Sequence, residues 1–460
     1  MLSELQSIFS SERVLTSDSD LKKYGKDWTS YFDIKASYVV FPASAEEIQK
    51  LVLFARSKKI ALIPSGGRTG LSGGACALNG EVVVSFERMN KILEFDSIDQ
   101  TVRIQSGVLT EELQDFAKKK DLFYPVDFAA RGSSQMGGNV ATNAGGIKVT
   151  RYGLTRDWVV GLQVVTGSGE LLNLNQSLVK NATGYDFRHL FIGSEGTLGF
   201  VTEVTLRLAP PPSKTKVLFL GSDSLEKVMQ TYSLFKRQNI LVAFEMFSDK
   251  ALKLVEQSTG LKSPLSSRCN YYIVTEIECP GEPTDGPEQK IMSSLEQALS
   301  EELITDGAIN QNEAQAKIFW RFREDISESL SKFSPYKNDI AVRISKIPTL
   351  VKELDPLLAK NYPTWEVIWF GHIGDGNLHI NILRPADLSK EDFVKECQKV
   401  DNLVFQAVKN HQGSISAEHG VGLTKKAYLS FTRSPAEIEL MRNIKQVFDP
   451  DGIINPGKML

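Results

Sequence analysis

Cysteine is scarce in this chain and follows no pattern. Four occur in 460 residues (Cys76, Cys269, Cys279 and Cys397), with no CxxC pair among them. The chain therefore lacks the spacing for an iron–sulfur cluster of its own, and a disulfide framework is not expected. Cys269 and Cys279 bracket one strand-like run, where buried free thiols in a reducing compartment are the expectation. Long apolar runs are also missing. None nears the roughly 20 residues that span a bilayer, so no integral membrane segment is expected. Charge of one sign is not in excess: 53 Lys and Arg against 56 Asp and Glu leave a formal net charge of −3, which offers nucleic acid no basic surface. The N-terminal MLSELQSIFSSERVL has neither a signal-peptide apolar core nor an Arg-rich transit character. It reads as a short amphipathic helix, and a cytoplasmic protein is expected. No internal repeat or low-complexity tract is present.

What remains is an ordinary globular composition, 42% hydrophobic and 24% charged. The length suggests two or three domains. Pro210, Pro211 and Pro212 remove three successive backbone donors and force extended geometry, which places a boundary after residues 1–209. Beyond it, strand-like runs at 217–222, 241–247, 270–278 and 365–370 alternate with helical periodicity at 224–237, 288–302, 311–332 and 389–411. That order predicts an α+β domain over 213–412, a sheet layered with helices. The acidic loop at 280–289 is expected to be a surface excursion. A mainly helical segment, 413–460, closes the chain on FDPDGIINPGKML.

Glycine is concentrated in three places. In IALIPSGGRTGLSGGA (60–75) an apolar strand runs into Pro64, and Gly66, Gly67, Gly70, Gly73 and Gly74 follow among small or polar residues. Such a loop brings backbone N–H groups close to an anion, and a pyrophosphate is the natural occupant. No GK[ST] follows, so it is not a Walker loop, and no GxGxxG opens a Rossmann helix. In YPVDFAARGSSQMGGNVATNAGGIKVTRYG (124–153), Gly137, Gly138, Gly145 and Gly146 alternate with Asn139, Thr142 and Asn143. Small residues so spaced line a narrow cavity with donors and acceptors for a heterocycle. In the third segment, 180–208, GSEGTLG again needs backbone freedom before a strand.

Histidine is almost as rare as cysteine, yet four of the five fall in the last quarter of the chain: His372, His379, His411 and His419. In GHIGDGNLHINI (371–382), Gly371, Gly374 and Gly376 make a turn that lets His372 and His379 converge. Past the turn, strand alternation sets His379 and Asn381 on one face and Leu378, Ile380 and Ile382 on the other. SISAEHGVG (414–422) adds Glu418 and His419. Two histidines and a carboxylate are a usual zinc or manganese ligand set with open positions. His411 reads as a surface or helix-capping residue. In IFWRFREDISESLSK (318–332), Arg323 and Ser327 stand four apart and share a helix face, and Lys337 follows. A solvated helix face and an anion-binding face are both open for Arg323.

The three glycine segments, closely in GGNVATNAGG, TGYD and GSEGTLG, and the terminal NPGK resemble the FAD-linked oxidases of the vanillyl-alcohol oxidase type. The likeness covers essentially the whole chain. Within that group it is nearest to the dehydrogenases of D-2-hydroxyglutarate, D-lactate and glycolate. The resemblance implies a two-part FAD-binding domain, then an α+β substrate (cap) domain and a small helical segment returning to the flavin. It implies FAD contacts from Pro64, Ser65, Gly66, Gly67, Arg68, Thr69, Gly70, Leu71 and Ser72. Further contacts would come from Pro125, Asp127, Ser134, Gly137, Gly138, Asn139, Thr142, Asn143, Gly145, Gly146, Tyr152 and Gly153, then from Glu195, Gly196, Val201 and Asn455. No histidine lies in residues 60–153 and nothing marks Cys76 as an attachment point, so the FAD is expected to be non-covalent.

The resemblance also implies that His372, His379 and Glu418 bind a divalent metal, zinc first and manganese second, with His419 as general base. Arg323, Ser327 and Lys337 would hold a distal carboxylate, serine standing where relatives have threonine, with Asn381 and His419 also at the substrate. Arg343 stands where relatives more often carry proline, and either adds a cation or faces solvent. The expected reaction is oxidation of D-2-hydroxyglutarate or a similar D-2-hydroxy acid, with metal-assisted proton abstraction and hydride transfer to flavin N5. Electrons would pass to a carrier such as electron-transfer flavoprotein, and a homodimer is expected. A D-lactate or glycolate dehydrogenase is the alternative within this chemistry. A flavin-binding scaffold without turnover is the alternative outside it.

Overall fold

Ser44 opens the helix Ala45–Lys58 by accepting the backbone N–H of Glu47, the usual device for satisfying a free amide in a first turn. Ile48, Leu51, Val52 and Ala55 then fall on one stripe and are buried. At roughly 1.5–3 kcal/mol for each large apolar side chain removed from water, that stripe fixes the helix against the strands it covers. The same logic repeats along the chain. The computed structural model describes residues 1–29, 32–281 and 286–460. Positions 282–285 of the expected acidic loop therefore lie outside the described residues. Two units are distinguished, one made of 1–146, 153–211 and 418–460, the other of 147–152 and 212–417.

The first unit holds two sheets. Strands β1 (Val14–Leu15), β2 (Tyr38–Val40), β3 (Leu62–Ser65) and β4 (Val82–Ser85) form one, ordered β1-β2-β4-β3. Its β2, β3 and β4 run parallel, and accordingly read as continuous apolar runs. Ile454, near the C-terminus, bridges Leu62 in parallel, so the end of the chain extends this sheet. Strands β5 (Ile92–Asp96), β6 (Thr101–Gln105), β7 (Val159–Thr166), β8 (Leu171–Leu174) and β9 (Gly199–Arg207) form the other, antiparallel and ordered β5-β6-β9-β7-β8. After residue 418 the chain forms a short 3-10 turn at Lys426–Phe431 and one long helix, Pro435–Phe448, before its extended ending.

The second unit is built on one seven-stranded sheet. Its strands are β10 (Lys214–Ser222), β11 (Ile240–Ser248), β12 (Tyr271–Cys279), β13 (Asp306–Ile309), β14 (Tyr336–Ala341), β15 (Val367–Gly371) and β16 (Asn377–Ile382), ordered β13-β10-β12-β11-β15-β16-β14. Every pairing is antiparallel. One face carries Phe219, Tyr272, Val274 and Phe247 into a core with Phe319 and Phe322 of the helix Glu313–Glu324. The Phe219 and Phe322 rings meet edge to face at 5.2 Å. That helix is thereby pinned across the sheet, and its Arg323 is carried to the same face. Among the described residues no helix is long and apolar enough to cross a membrane.

Candidate active site

In the first unit, the turn after β3 and the helix Met136–Thr142 wall a cavity of about 220 Å³. Pro64, Gly66 through Ser72, Gly137, Gly138, Asn139, Thr142, Glu195, Gly196 and Val201 line it, and so do Glu418 and His419. The glycines are required by close approaches. A Cβ on Gly67 would lie 2.1 Å from the Ser133 carbonyl oxygen, and one on Gly137 2.6 Å from the Ser106 Cβ. Gly138, by contrast, has nothing within 4 Å of where its Cβ would be. The buried carboxylate of Asp27 accepts the amides of Gly73 (2.7 Å) and Thr29 (2.9 Å) and so holds the loop. Arg68 stacks 4.6 Å above the Tyr24 ring and pairs with Glu87 at 3.0 Å.

The segment that carries Glu418 and His419 is clamped from within the same unit. The Glu195 carboxylate accepts the amides of Val421 (2.7 Å) and Gly422 (2.8 Å). Burial pushes the pKa of Glu195 up, and these two amides oppose the rise. Gly420, at φ +80°, passes so close that a Cβ would come within 2.9 Å of Glu195 Oε1. Asn455 secures the clamp from behind, donating its side-chain amide to the carbonyls of Gly74 (3.0 Å) and Glu195 (2.8 Å).

Several expected cofactor residues sit outside the cavity lining. Ser65 is buried with its hydroxyl on the Tyr24 carbonyl (2.9 Å). Ser134 shares a hydrogen bond with Thr110 at 2.7 Å. Asn143 caps the Met136–Thr142 helix at φ 52° and accepts the Arg156 amide at 3.0 Å. Asp127 pairs with Arg131 at 3.0 Å, and its carbonyl leaves room only for glycine at 146. Pro125 and Gly145 do not line the cavity either. Tyr152 belongs to the second unit, whereas Gly153 (φ +72°) belongs to the first.

In the second unit a polar patch occupies the sheet face that elsewhere is core. Cross-strand register sets Phe247, Phe370, His379 and Asp339 in one row over β11, β15, β16 and β14. The next row carries Ile368, Asn381 and Lys337. The turn at 371–377 brings the His372 and His379 rings to 5.4 Å at 83°. It depends on Gly376, whose φ is +95° and whose Cβ would meet the Val342 carbonyl at 2.2 Å. His372 Nδ1 lies 2.9 Å from Glu245 Oε1, and His379 Nδ1 lies 3.5 Å from Asp339 Oδ1. The Nδ1 atoms of both histidines thus face buried carboxylates, His372 within hydrogen-bond distance and His379 at longer range.

Arg323 is 6% exposed, so its helix face is not a solvated one. Its Nε stands 2.8 Å from Glu245 Oε2, and its guanidinium lies 4.9 Å above the Phe370 ring. The ion pair is not aligned as a hydrogen bond, and Nη2 likewise has no hydrogen-bond partner among the described residues. The Asn381 Nδ2 is also buried and unpartnered. Lys337 is exposed by area, yet the surrounding protein still desolvates its ammonium and holds its pKa below the usual lysine value. Ser327 is exposed on the short helix Ile326–Ser331. Arg343 faces solvent with Nη2 on Gln412 (2.7 Å), and His411 caps the helix Lys390–Asn410 with Nε2 on Glu353 (2.8 Å).

Glu245, Asp339 and Asp27 escaped the reading of the sequence. The signal for the first was a charge at an otherwise apolar strand position in LVAFEMF, and NDIAV carries the same signal for Asp339.

Comparison with known proteins agrees with this architecture. Residues 211–459 match the family model described as FAD linked oxidases, C-terminal domain, and residues 36–175 match an FAD binding domain. The chain is 50% identical over 459 residues to the D-2-hydroxyglutarate dehydrogenase of Stutzerimonas stutzeri (strain A1501), covering 100% of this chain and 98% of that one. It is also 50% identical over 455 residues to the D-2-hydroxyglutarate dehydrogenase of Xanthomonas citri pv. viticola, covering 99% and 96%. Among solved structures, substrate-bound p-cresol methylhydroxylase superposes with a TM-score of 0.79 at 14% identity over 100% of this chain and 96% of that one, a likeness of fold alone.

Proposed function

This chain belongs to the FAD-linked oxidase family, and from that premise we propose that it oxidises D-2-hydroxyglutarate, or a closely similar D-2-hydroxy acid, to the 2-oxo acid. The observation that carries the substrate is the polar patch on the second unit's sheet. An exposed, desolvated Lys337 stands in register with Asn381, and among the described residues neither the Asn381 Nδ2 nor the buried Arg323 Nη2 has a hydrogen-bond partner. A monocarboxylate has too few oxygens to use this set as well as its own C1 group, whereas a diacid has a second carboxylate to offer. The names of the relatives above support the same substrate.

The residues present fit FAD. Open space over Gly138, the buried unpaired Gln135 Oε1 and the amide-rich turn at 66–72 offer room and polar partners in one cavity. Bound there, FAD supplies the two-electron acceptor. Non-covalent binding is favoured because Cys76 is a poor candidate for attachment. Burial, and then the Asp27 carboxylate 3.5 Å away, push its thiol pKa up, so little thiolate forms. The residues also fit a divalent ion, zinc first and manganese second. His372 and His379 present paired imidazoles, and Glu418 follows directly on Ala417, whose amide donates to the Asp339 carbonyl at 3.3 Å. Held by those three side chains, such an ion would lower the pKa of the substrate hydroxyl.

The chain's own work is then binding, orientation and one proton. Arg323, Ser327, Lys337 and Asn381 take the distal carboxylate and fix C2. His419, on the turn clamped by Glu195, removes the hydroxyl proton, a role typically worth about 10²–10⁴-fold. The four free cysteines suit a cytoplasmic setting. A carrier such as electron-transfer flavoprotein is the proposed acceptor, and a homodimer the proposed assembly. Dye-coupled rates on D-2-hydroxyglutarate and D-lactate test the substrate assignment. Wild type should prefer the diacid, and Lys337→Ala should lose about 1.5–3 kcal/mol in kcat/KM for it, on the order of 10- to 100-fold, while D-lactate turnover changes little. Equal losses on both substrates would remove Lys337 from the distal site.

A further inference from the structure

We infer that Glu245 is a positioning residue that serves both ends of the substrate grip, setting the tautomer of His372 and the orientation of Arg323 through one buried carboxylate. The inference rests on the proposed roles of His372 as a metal ligand and Arg323 as a carboxylate anchor. Glu245 lies near the end of β11 with its side chain 2% exposed. On one side its carboxylate meets His372 Nδ1, at 2.9 Å from Oε1 and 2.8 Å from Oε2. On the other, Oε2 meets Arg323 Nε at 2.8 Å.

With the Glu245 carboxylate as acceptor in the 2.9 Å contact, Nδ1 of His372 carries the proton. The neutral ring then has its lone pair on Nε2, the atom that would coordinate the ion. Arg323 is held by the same charge along its Nε edge and by the Phe370 ring at 4.9 Å beneath its plane. Even so, neither Nε nor Nη2 has an aligned hydrogen bond among the described residues. A carboxylate whose sole duty was to neutralise a buried arginine would align two hydrogen bonds with the guanidinium fork. Here the pair is not aligned, and the second contact goes to an imidazole. Glu245 therefore ties the end of the site that holds the metal to the end that reads the diacid.

The test uses the FAD-loaded full chain, freed of metal and titrated with Zn²⁺ against a chromophoric chelator. E245Q can offer its amide N–H to Nδ1 and reverse the tautomer, so Zn²⁺ affinity should fall about 10- to 100-fold. Because E245Q also leaves Arg323 as an uncompensated buried charge, two further variants separate positioning from folding. E245Q/R323M removes that charge and should melt close to wild type with full FAD content, while Zn²⁺ affinity stays 10- to 100-fold down. E245D keeps the charge but withdraws it by one methylene, and should weaken Zn²⁺ in the same direction. Wild-type Zn²⁺ affinity in E245D or in E245Q/R323M overturns the inference. No Zn²⁺ binding by the wild-type protein itself would instead overturn the metal site, and the positioning role with it.

Discussion

Lys337 shows how a single side chain can report on the substrate. Desolvation holds its pKa below the usual lysine value near 10.5, because surrounding protein replaces the water that favours the ammonium form. The sign follows directly. Below the lowered pKa the ammonium is present and attracts a carboxylate; above it the amine is neutral and the attraction is gone. KM for D-2-hydroxyglutarate should therefore rise on the alkaline side, at a pH below that of an ordinary lysine. Lys337→Arg should move the rise out of the accessible range, since a guanidinium stays charged. A KM profile flat with pH in the wild type and unchanged in Lys337→Arg would mean that this ammonium does not meet the substrate. At the same scale, His419→Asn should cut kcat by about 10²–10⁴-fold and leave FAD content intact. An unaffected kcat would sink its role as base.

The elements around the glycine-lined cavity pack closely because glycine lets backbone meet backbone. Gly67 is the sharpest case, with the Ser133 carbonyl 2.1 Å from the Cβ an alanine would bring. Carbonyl and turn would have to part, so Gly67→Ala should yield protein that melts lower and retains less FAD, read as the 450 nm flavin absorbance per chain. Full flavin content would show that the turn can move. Such positions were legible in the sequence because clustered glycine among small residues has few other uses. The histidine turn was legible for the same reason: Gly376 at φ +95° is hard to replace. Glu245 and Asp339 were not legible. A charge in a short strand-like run reads as a solvent face until register assigns it. The register that lines up Phe247, Phe370, His379 and Asp339, with Glu245 two residues before Phe247 on its strand, shows that these carboxylates lie on the buried side. Pro125, Asp127, Ser134, Asn143 and Asn455 were legible as positions in a motif. In the structure Ser134, Asn143, Asp127 and Asn455 hold neighbouring side chains or backbone through hydrogen bonds and ion pairs, a detail that motifs do not encode.

Across the whole molecule, the chain divides its labour between two units and crosses between them more than once. Residues 147–152 leave the flavin-binding segment to pack in the second unit, where a Cβ on Gly374 would lie 2.6 Å from Thr150 Oγ1. Glu418 and His419 begin the final stretch of the first unit, one residue after the second unit ends at Ala417. Such a hydroxy-acid dehydrogenase should lose activity to a chelator without losing its flavin, since Glu418 is the one expected metal ligand among the residues that line the cavity. The most direct test is to mix the purified yellow protein anaerobically with D-2-hydroxyglutarate and follow flavin bleaching, with and without prior chelation. Rapid bleaching by the diacid, slow bleaching by D-lactate and suppression by the chelator are the predicted results. A flavin that stays oxidised with every 2-hydroxy acid would contradict the account at its centre.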